Sequence, residues 1–133
     1  MKYTSFEEMP VWIDAMAISI AIFDLTSNLP RCEDYSLTSQ IRRSVSSIAA
    51  NLAEGFGRST KLDKARFYVI ARGSAFETIN HLIYGNKVGY FESQTVEKLK
   101  NNLKNNIHDL NKIINYLSTK PQPQSQPHPQ PQP

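Results

Sequence analysis

Three stretches of the chain carry apolar side chains at alternating steps of three and four residues, and this spacing limits the fold more than any other feature. A helix with 3.6 residues per turn places such positions on one face, which must be buried. No window alternates apolar and polar side chains for long enough to indicate a strand. The chain is therefore predicted to be all-α. The repeated positions are Val11, Ala15, Ile18, Ile22, Leu25 and Leu29 in the first stretch, Ile41, Val45, Ile48, Leu52 and Phe56 in the second, and Val96, Leu99, Leu103, Ile107, Leu110, Ile114 and Leu117 in the last.

One more helix, third in chain order, is predicted between the second and the last stretch. Thr60 and Asp63 have the spacing of a capping box, in which Asp63 reaches back to the free amides of a helix start. Gly89 follows the expected helix end at about Lys87. Long helices with short connections favour antiparallel neighbours. We therefore predict an antiparallel, up-and-down four-helix bundle that occupies residues 1–118 as one domain.

The last fourteen residues, KPQPQSQPHPQPQP, have a composition unlike the rest of the chain. They contain six of the eight prolines and none of the side chains that build a core. Proline fixes φ and lacks a backbone donor, so such a segment cannot pack as a helix. Residues 119–133 are predicted to form a disordered Pro/Gln-rich tail. A PxxP ligand is the alternative use of this segment.

Composition and cysteine usage exclude several classes of protein. The apolar fraction of 40% and the charged fraction of 20% are ordinary for a soluble domain. Cys32 is the only cysteine, which excludes an internal disulfide and offers no metal-site spacing. The first residues lack the apolar run of a secretory signal, and no stretch approaches the roughly 20 apolar residues of a membrane span. We expect a cytoplasmic protein without a membrane partner.

The spacing of the ionisable residues does not match that of a catalytic or metal site. A di-iron site in a four-helix bundle needs Glu-x-x-His on two helices and a further glutamate on each of the others. Here Glu77 and His81 are four residues apart, Glu54 stands alone, and Cys32 has no histidine nearby. The glycines do not form a phosphate-binding loop after a strand. We predict a protein that is not an enzyme, with no catalytic residue, no metal site and no cofactor.

The second helix has a face of small side chains, which would let another backbone come close. The first helix also carries apolar residues beyond its repeated positions, and one four-helix bundle has too few neighbours to bury all of them. These two features together predict a homo-oligomer with the small face in its interface. The small face consists of Ser46, Ala50, Ala53 and Gly57, and the additional apolar residues of the first helix are Trp12, Met16, Ile20 and Phe23.

A third face of the second helix is polar. Buried charges persist only when they are paired and hydrogen-bonded, so we predict that these residues form a structural polar network beside an interface. The alternative is that Glu54 is a catalytic or metal-binding carboxylate, because active sites and ion-pair networks perturb carboxylates alike. The predicted network comprises Arg43, Asn51, Glu54, Arg58 and, from the third helix, Glu77.

The third helix also has a basic face. Residues 1–30 carry four acidic side chains against one lysine, whereas residues 61–90 carry five basic side chains against two acidic ones. Positive charge around an aromatic ring is typical of a contact to RNA or DNA, which makes nucleic acid a candidate partner. Two alternatives remain open: Tyr68 packs while Arg72 pairs with Glu77, or the protein is a scaffold that docks a protein partner. The basic face consists of Lys61, Lys64, Tyr68 and Arg72.

Separated motifs between about residue 6 and residue 117 carry a family resemblance. They are Val11-Trp12; Leu29-Pro30, Glu33, Tyr35 and Leu37; Gln40-Ile41-Arg42-Arg43; Ser47-Ile48; Asn51-Leu52-Ala53-Glu54-Gly55; Gly57-Arg58; Phe67; Ile70-Ala71-Arg72-Gly73-Ser74; Glu77; and Val88-Gly89-Tyr90. In this order they resemble the signature of a small bacterial four-helix-bundle family, whose members are often described as intervening-sequence proteins of 23S ribosomal RNA genes. The chain departs from many members at Ala49, where proline is common, and its tail lies outside the pattern.

This resemblance implies an antiparallel bundle that assembles into a ring-shaped homopentamer, and it brings no enzymatic activity with it. A more distant similarity is to the accessory protein that helps a reverse transcriptase in diversity-generating retroelements. That protein binds nucleic acid on a basic surface, which is the kind of partner suggested by the third helix.

Overall fold

The computed structural model describes residues 2–119, which contain four α-helices and two short 3-10 turns. Helix α1 spans Pro10–Thr26, α2 spans Leu37–Phe56, α3 spans Lys61–Lys87 and α4 spans Ser93–Ser118. This part of the chain contains no strand, and none of its helices is both long and apolar enough to cross a membrane. Apart from Thr119, the predicted Pro/Gln-rich tail lies outside the described residues.

Each helix packs against the helix before it in the chain, and α4 closes the bundle against α1. The connections at residues 57–60 and 88–92 reach at most about 18 Å, whereas the 27 residues of α3 are about 40 Å long. Helices α2, α3 and α4 must therefore run in alternating directions. Helix α1 runs opposite to α2, because Ser19 donates to the carbonyl of Val45, whereas Thr26, later in α1, accepts from Arg42, earlier in α2. The predicted all-α four-helix fold is confirmed, with α1 and α3 at diagonally opposite corners.

The core consists of the apolar positions that the sequence repeats. In α1, Val11, Ala15, Ile18 and Ile22 are buried, and Leu25 packs partly against the core. Full burial of one such aliphatic side chain contributes about 1.5–3 kcal/mol to the free energy of folding. The buried apolar faces of the four helices together therefore stabilise the bundle. The largest fully buried apolar side chains are Ile22, Ile41, Ile48, Leu52, Leu82, Leu103 and Leu110.

The connection between α1 and α2 lies earlier in the chain than the apolar spacing predicts. Helix α1 ends at Thr26 rather than Leu29, and α2 begins at Leu37 rather than near Ile41. The Thr26 hydroxyl donates to the carbonyl of Ile22 at 2.8 Å, a local bond that competes with the helical pattern. At the other end, Leu37 is buried, and this burial favours an extra helical turn. Helix α2 then runs through Ala49 without interruption.

Both ends of α3 are capped by the residues that mark them in the sequence. The Thr60 hydroxyl accepts a hydrogen bond from the Asp63 amide at 3.1 Å, which is the threonine half of the predicted capping box. At the C-terminal end Gly89 has a φ of +90°, a left-handed conformation that favours glycine. The Tyr90 amide then donates to the Gly85 carbonyl at 2.8 Å, as in a Schellman motif.

A side-chain bond joins two connections at one end of the bundle. The Tyr90 hydroxyl, from the α3–α4 connection, donates to the carboxylate of Glu33 in the α1–α2 connection at 2.8 Å. This hydrogen bond is the main reason that the pKa of Tyr90 is raised to about 12, because loss of the proton would place two anions side by side.

One buried amide lies in the seam between α1 and α4. Asn106 is 1% exposed, and its side-chain nitrogen donates to the carbonyl of Val11 at 3.0 Å. Its side-chain oxygen has no hydrogen-bond partner among residues 2–119. A buried amide with one satisfied bond favours the single alignment of the two helices in which that bond forms.

Small side chains line the contact between α2 and α3. The Thr78 hydroxyl donates to the Ser44 hydroxyl at 2.9 Å, and the Ser74 hydroxyl donates to that of Ser47 at 3.0 Å. Further along, Gly55 faces the ring of Tyr68. A Cβ at Gly55 would lie 2.7 Å from Cε1 of that ring, so the helices can approach this closely only over glycine.

The contact at Gly55 generates a test with a matched control. Gly55→Ala should lower the free energy of unfolding by about 1–3 kcal/mol, because the new methyl overpacks the interface. Gly73→Ala, on the outer side of α3 with nothing within 4 Å of its Cβ position, should raise it by about 0.5–1 kcal/mol through helix propensity. Urea unfolding followed by circular dichroism measures both. Stabilisation by both substitutions would contradict the close approach.

Candidate interaction surfaces

The outer side of α1 exposes large apolar side chains. Ile13, Ile20 and Phe23 are 49%, 57% and 55% exposed. Ile13 and Ile20 are seven residues apart, which places them on one line along the helix. Of the additional apolar residues predicted in this helix, Ile20 and Phe23 are exposed, whereas Trp12 and Met16 are half-buried against the core.

The small face of α2 continues this apolar surface. Ser46, Ala50 and Gly57 are exposed and Ala53 is half-buried, so the structure leaves the predicted interface residues at the surface. A shallow groove of about 370 Å³ lies between Ser46 of this face and α1; its lining includes Ile20, Phe23, Arg42 and Val45. We refer to Ile13, Ile20 and Phe23, together with this groove and the small face, as the α1–α2 surface.

The outer side of α3 has an apolar line of its own. Leu62, Val69, Phe76 and Ile83 recur every seven residues and are between 38% and 79% exposed. Ile70 and Tyr84 flank this line and are also exposed. The sequence interpretation missed these residues as a surface, although their seven-residue spacing was a readable signal. We refer to these six residues as the α3 surface.

The predicted polar network does not form as one unit within the chain. Glu54 and Arg58 make an ion pair at 3.1 Å, but both side chains are about half exposed. Asn51 donates instead to the carbonyl and hydroxyl of Ser47, at 2.8 and 2.9 Å. The prediction is corrected for the subunit: Asn51 is half-buried and bonds within α2, and Arg58 also lies 4.6 Å from the centroid of the Phe67 ring on α3. A role of these residues beside an interface between copies stays a prediction.

The two remaining members of that network lie apart from it. Glu77 is 3.8 Å from His81, one turn along α3. Arg43 is exposed and makes no side-chain hydrogen bond or ion pair within the described part of the chain. Neither side chain contacts Glu54, so spacing on the helical wheel was a poor guide to pairing here.

The predicted basic face of α3 is divided by the fold. Tyr68 is 3% exposed and packs on Gly55, so it cannot stack on a base, and this prediction is corrected. Lys64 donates to the carbonyl of Phe56 at 2.6 Å. Arg72 donates to the side-chain oxygen of Asn111 on α4 at 2.8 Å rather than pairing with Glu77. Burial raises the pKa of the Tyr68 hydroxyl.

An exposed aromatic ring lies beside the basic face on a different helix. The ammonium of Lys61 lies 5.3 Å from the centroid of the Tyr116 ring, and Tyr116 is 70% exposed. Lys112, one turn before Tyr116 on α4, is also exposed. This cluster of two lysines and a tyrosine joins the start of α3 to the end of α4. The sequence could not show it, because the pairing of α3 with α4 is a tertiary feature.

Possible metal ligands are scattered over the described residues. Within residues 2–119, no three side chains of His, Cys, Asp or Glu come together as a metal ion would require. Glu77 and His81 lie on one helix without a third ligand, and Cys32 is exposed in the α1–α2 connection.

The chain was compared with known families, curated proteins and solved structures. The family model described as 23S rRNA-intervening sequence protein matches residues 7–113. A solved structure from Bacteroides thetaiotaomicron, described as a protein of unknown function from the S23 ribosomal protein family, has a similar fold. It is 23% identical, with a TM-score of 0.71, over 78% of this chain and 97% of that one. No curated protein matches the chain.

The exposed Glu54–Arg58 pair predicts a small effect of its removal. Glu54→Gln should change the free energy of unfolding by no more than about 0.5 kcal/mol, since an exposed pair one helical turn apart contributes little. Glu97→Gln, which breaks the pair of Glu97 with Lys100, is the matched control. Thermal unfolding of both variants checks this. A much larger loss for Glu54→Gln alone would show that a second copy buries the pair.

Proposed function

Because the chain belongs to the 23S rRNA-intervening sequence protein family, through a match to residues 7–113, we propose that it is a non-enzymatic protein that works as a homo-oligomer. One observation carries this proposal. Two apolar surfaces without a partner in the bundle, the α1–α2 surface and the α3 surface, lie on diagonally opposite helices. Large exposed apolar patches of this kind mark interaction sites.

The two surfaces are suited to each other in shape. The α3 surface presents a line of large side chains, including Phe76 and Ile83, that project from one helix. The α1–α2 surface offers a groove of about 370 Å³ bordered by small residues such as Ser46, followed along the helix by Ala50. Knobs from one helix inserting between small residues of another give close packing. The proposed contact therefore places α3 of one copy on α1 and α2 of the next.

A contact between two different surfaces has a consequence for symmetry. Each copy that uses its α3 surface on one neighbour still has its α1–α2 surface free for another, so association is head-to-tail. Such association gives a closed ring when the rotation per copy closes, and an open filament when it does not. A ring agrees with the family resemblance of the sequence, which implies five copies.

Nucleic acid is the partner that we propose for this assembly. The supporting observation is the cluster of Lys61, Lys112 and the exposed ring of Tyr116, in which a stacking platform lies beside cations. Bases stack on tyrosine without regard to sequence, and phosphates attract lysine. One copy offers few cations, but several copies in one assembly act together through a high effective concentration. A scaffold that docks a protein partner without nucleic acid is the alternative.

Disrupting either apolar surface should dissociate the assembly without unfolding the subunit. Phe76→Glu places a charge in the proposed α3 contact, and Ile20→Glu does the same in the α1–α2 surface. Both side chains are more than half exposed in the subunit, so the helical signal and melting of the monomer should change little. Asn101→Glu, on the exposed side of α4, is the control. Sedimentation velocity at tens of micromolar gives the masses.

Mixing the two variants distinguishes head-to-tail from face-to-face association. A Phe76→Glu copy keeps an intact α1–α2 surface, and an Ile20→Glu copy keeps an intact α3 surface. An equimolar mixture should therefore form a dimer and nothing larger, because only one productive contact remains per pair. A monomeric wild-type protein would contradict the proposed assembly. Mixed variants that stay monomeric would contradict the head-to-tail contact.

Binding to single-stranded RNA should depend on the cluster at the end of the bundle. Lys61→Glu combined with Lys112→Glu should abolish binding at low salt, and Tyr116→Ala should weaken it by about tenfold, because stacking contributes roughly 1–3 kcal/mol per base. Fluorescence anisotropy of an oligonucleotide over a salt series should give a slope near 0.7 per phosphate neutralised. Lys98→Glu, on an exposed side of α4, is the control. Absence of binding by the wild-type oligomer at low salt would favour the protein-docking scaffold.

A further inference from the structure

A groove of about 590 Å³ opens at the end of the bundle where α2 ends and α3 begins. It lies between the N-terminal segment, the first turns of α3 and the last turns of α4. Its walls are mainly apolar, formed by Met9, Phe56, Ile113 and Leu117 with the rings of neighbouring tyrosines. A volume in the range of about 300–1,000 Å³ with a few convergent polar groups is characteristic of small-molecule sites.

The charge in this groove has one sign. Lys2, Lys64 and Lys112 line it, and no acidic residue does. Lys2 and Lys112 are exposed at its rim, where they can attract an anion from solution. Lys64 is half-buried, and no carboxylate lies within ion-pair distance of it in the part of the chain that the structure describes. A half-buried cation in apolar surroundings is stabilised by an anionic partner.

The position of Lys64 is held by the backbone. Its ammonium donates to the carbonyl of Phe56 at 2.6 Å and to that of Gly55 at 3.4 Å, at the C-terminus of α2. An ammonium has three N–H donors, so one donor remains for a ligand. The side chain is therefore already fixed in the groove before any ligand arrives, which reduces the entropy lost on binding.

A second donor lies one turn further along α3. Tyr68 is 3% exposed, and it lines the groove. Its hydroxyl has no hydrogen-bond partner among residues 2–119, and the oxygen is not fully buried. Because the residue lines the groove, we infer that this hydroxyl faces the groove. Positions 64 and 68 are on the same face of the helix. Lys64 and Tyr68 thus both contribute to the wall of the groove that α3 forms.

We propose that this groove binds a free long-chain carboxylate. The carboxylate accepts hydrogen bonds from Lys64 and Tyr68, and the alkyl chain lies along Met9, Ile113 and Leu117. Both halves of the ligand are required by the site. A small inorganic anion would leave the apolar wall in water, and a neutral apolar molecule would leave the ammonium without a counter-charge. Tyr68 itself is not a stacking surface for a nucleobase, because its ring is buried and packed against Gly55.

Titration calorimetry of the full chain with sodium dodecanoate, below its micelle concentration, tests the proposal. We expect saturable binding with one site per chain. Dodecanol should bind at least tenfold more weakly, because it lacks the charge, and acetate should not bind, because it lacks the chain. Equal affinities for dodecanoate and dodecanol would overturn the assignment of the head group. Binding to anionic lipid vesicles instead of to free dodecanoate would overturn the choice of a free carboxylate.

Two variants and a control locate the site. Tyr68→Phe keeps the ring on Gly55 and removes only the hydroxyl, so the affinity for dodecanoate should fall about tenfold, as expected for loss of a hydrogen bond to a charged group. Lys64→Met should reduce it further, and thermal unfolding shows whether this variant still folds. Lys98→Met, an exposed lysine outside the groove, should bind as the wild type does. An unchanged affinity in Tyr68→Phe, or an equal loss in Lys98→Met, would overturn the proposal.

Oligonucleotide binding by the Tyr68→Phe variant distinguishes the carboxylate site from the proposed nucleic-acid surface. Tyr68→Phe should leave oligonucleotide binding unchanged, because Tyr68 is 3% exposed on the α3 wall of the groove, whereas the proposed stacking surface is the 70% exposed ring of Tyr116 on its α4 wall. If the Tyr68→Phe variant lost both ligands equally, one shared anion surface would replace the proposed carboxylate site.

Discussion

The close approach of α2 and α3 over small side chains determines the positions of many other groups in this bundle. With no side chain at Gly55, the ring of Tyr68 occupies the space beside α2. One turn earlier, Lys64 then reaches the last carbonyls of α2. The hydroxyl pairs further along, such as Ser44 with Thr78, replace bulky contacts with short directional ones. Close packing of this kind tolerates little change in volume, so the interface specifies one register of the two helices.

A second feature that determines the surface is the difference in outer-face polarity between the two diagonal pairs of helices, α2 with α4 and α1 with α3. Helices α2 and α4 have one apolar and one polar face, as expected for helices with water on the outside. Helices α1 and α3 have no continuous polar face; Ile20 and Phe76 are exposed in positions that water-facing helices usually give to charged residues. Each helix has only two neighbours in the bundle. The remaining apolar face therefore points outwards, and it does so at two opposite corners.

The sequence predicted the architecture well because it depends on periodicity and on helix ends. The apolar spacing around Ile22, Ile48 and Leu103 identified the core, and Gly89 marked the end of α3. The α1–α2 connection was less well predicted. Its helix ends depend on local side-chain bonds, such as that of Thr26, and on the burial of Leu37, which periodicity does not record.

The candidate sites were predicted less well than the fold, for a different physical reason. A helical wheel gives the direction of a side chain but not what lies opposite. Tyr68 shares a face with Lys64, yet that face turns towards the groove at the end of the bundle, and the ring is buried there. Conversely, Tyr116 gained its basic neighbour Lys61 only when α4 packed on α3. Spacing also grouped Glu54 with Asn51, although Glu54 pairs with Arg58 and Asn51 bonds to a different residue, one turn earlier in α2.

The bond from Asn106 to Val11 has a consequence for the order in which the bundle forms and opens. It joins residues 95 positions apart in the chain, whereas the α2–α3 contact closes a connection of only a few residues. Contacts between distant positions cost more chain entropy and form later in folding. We expect the α2–α3 hairpin to be the early, persistent unit, and the seam between the first and last helices to be the first to separate in the native state.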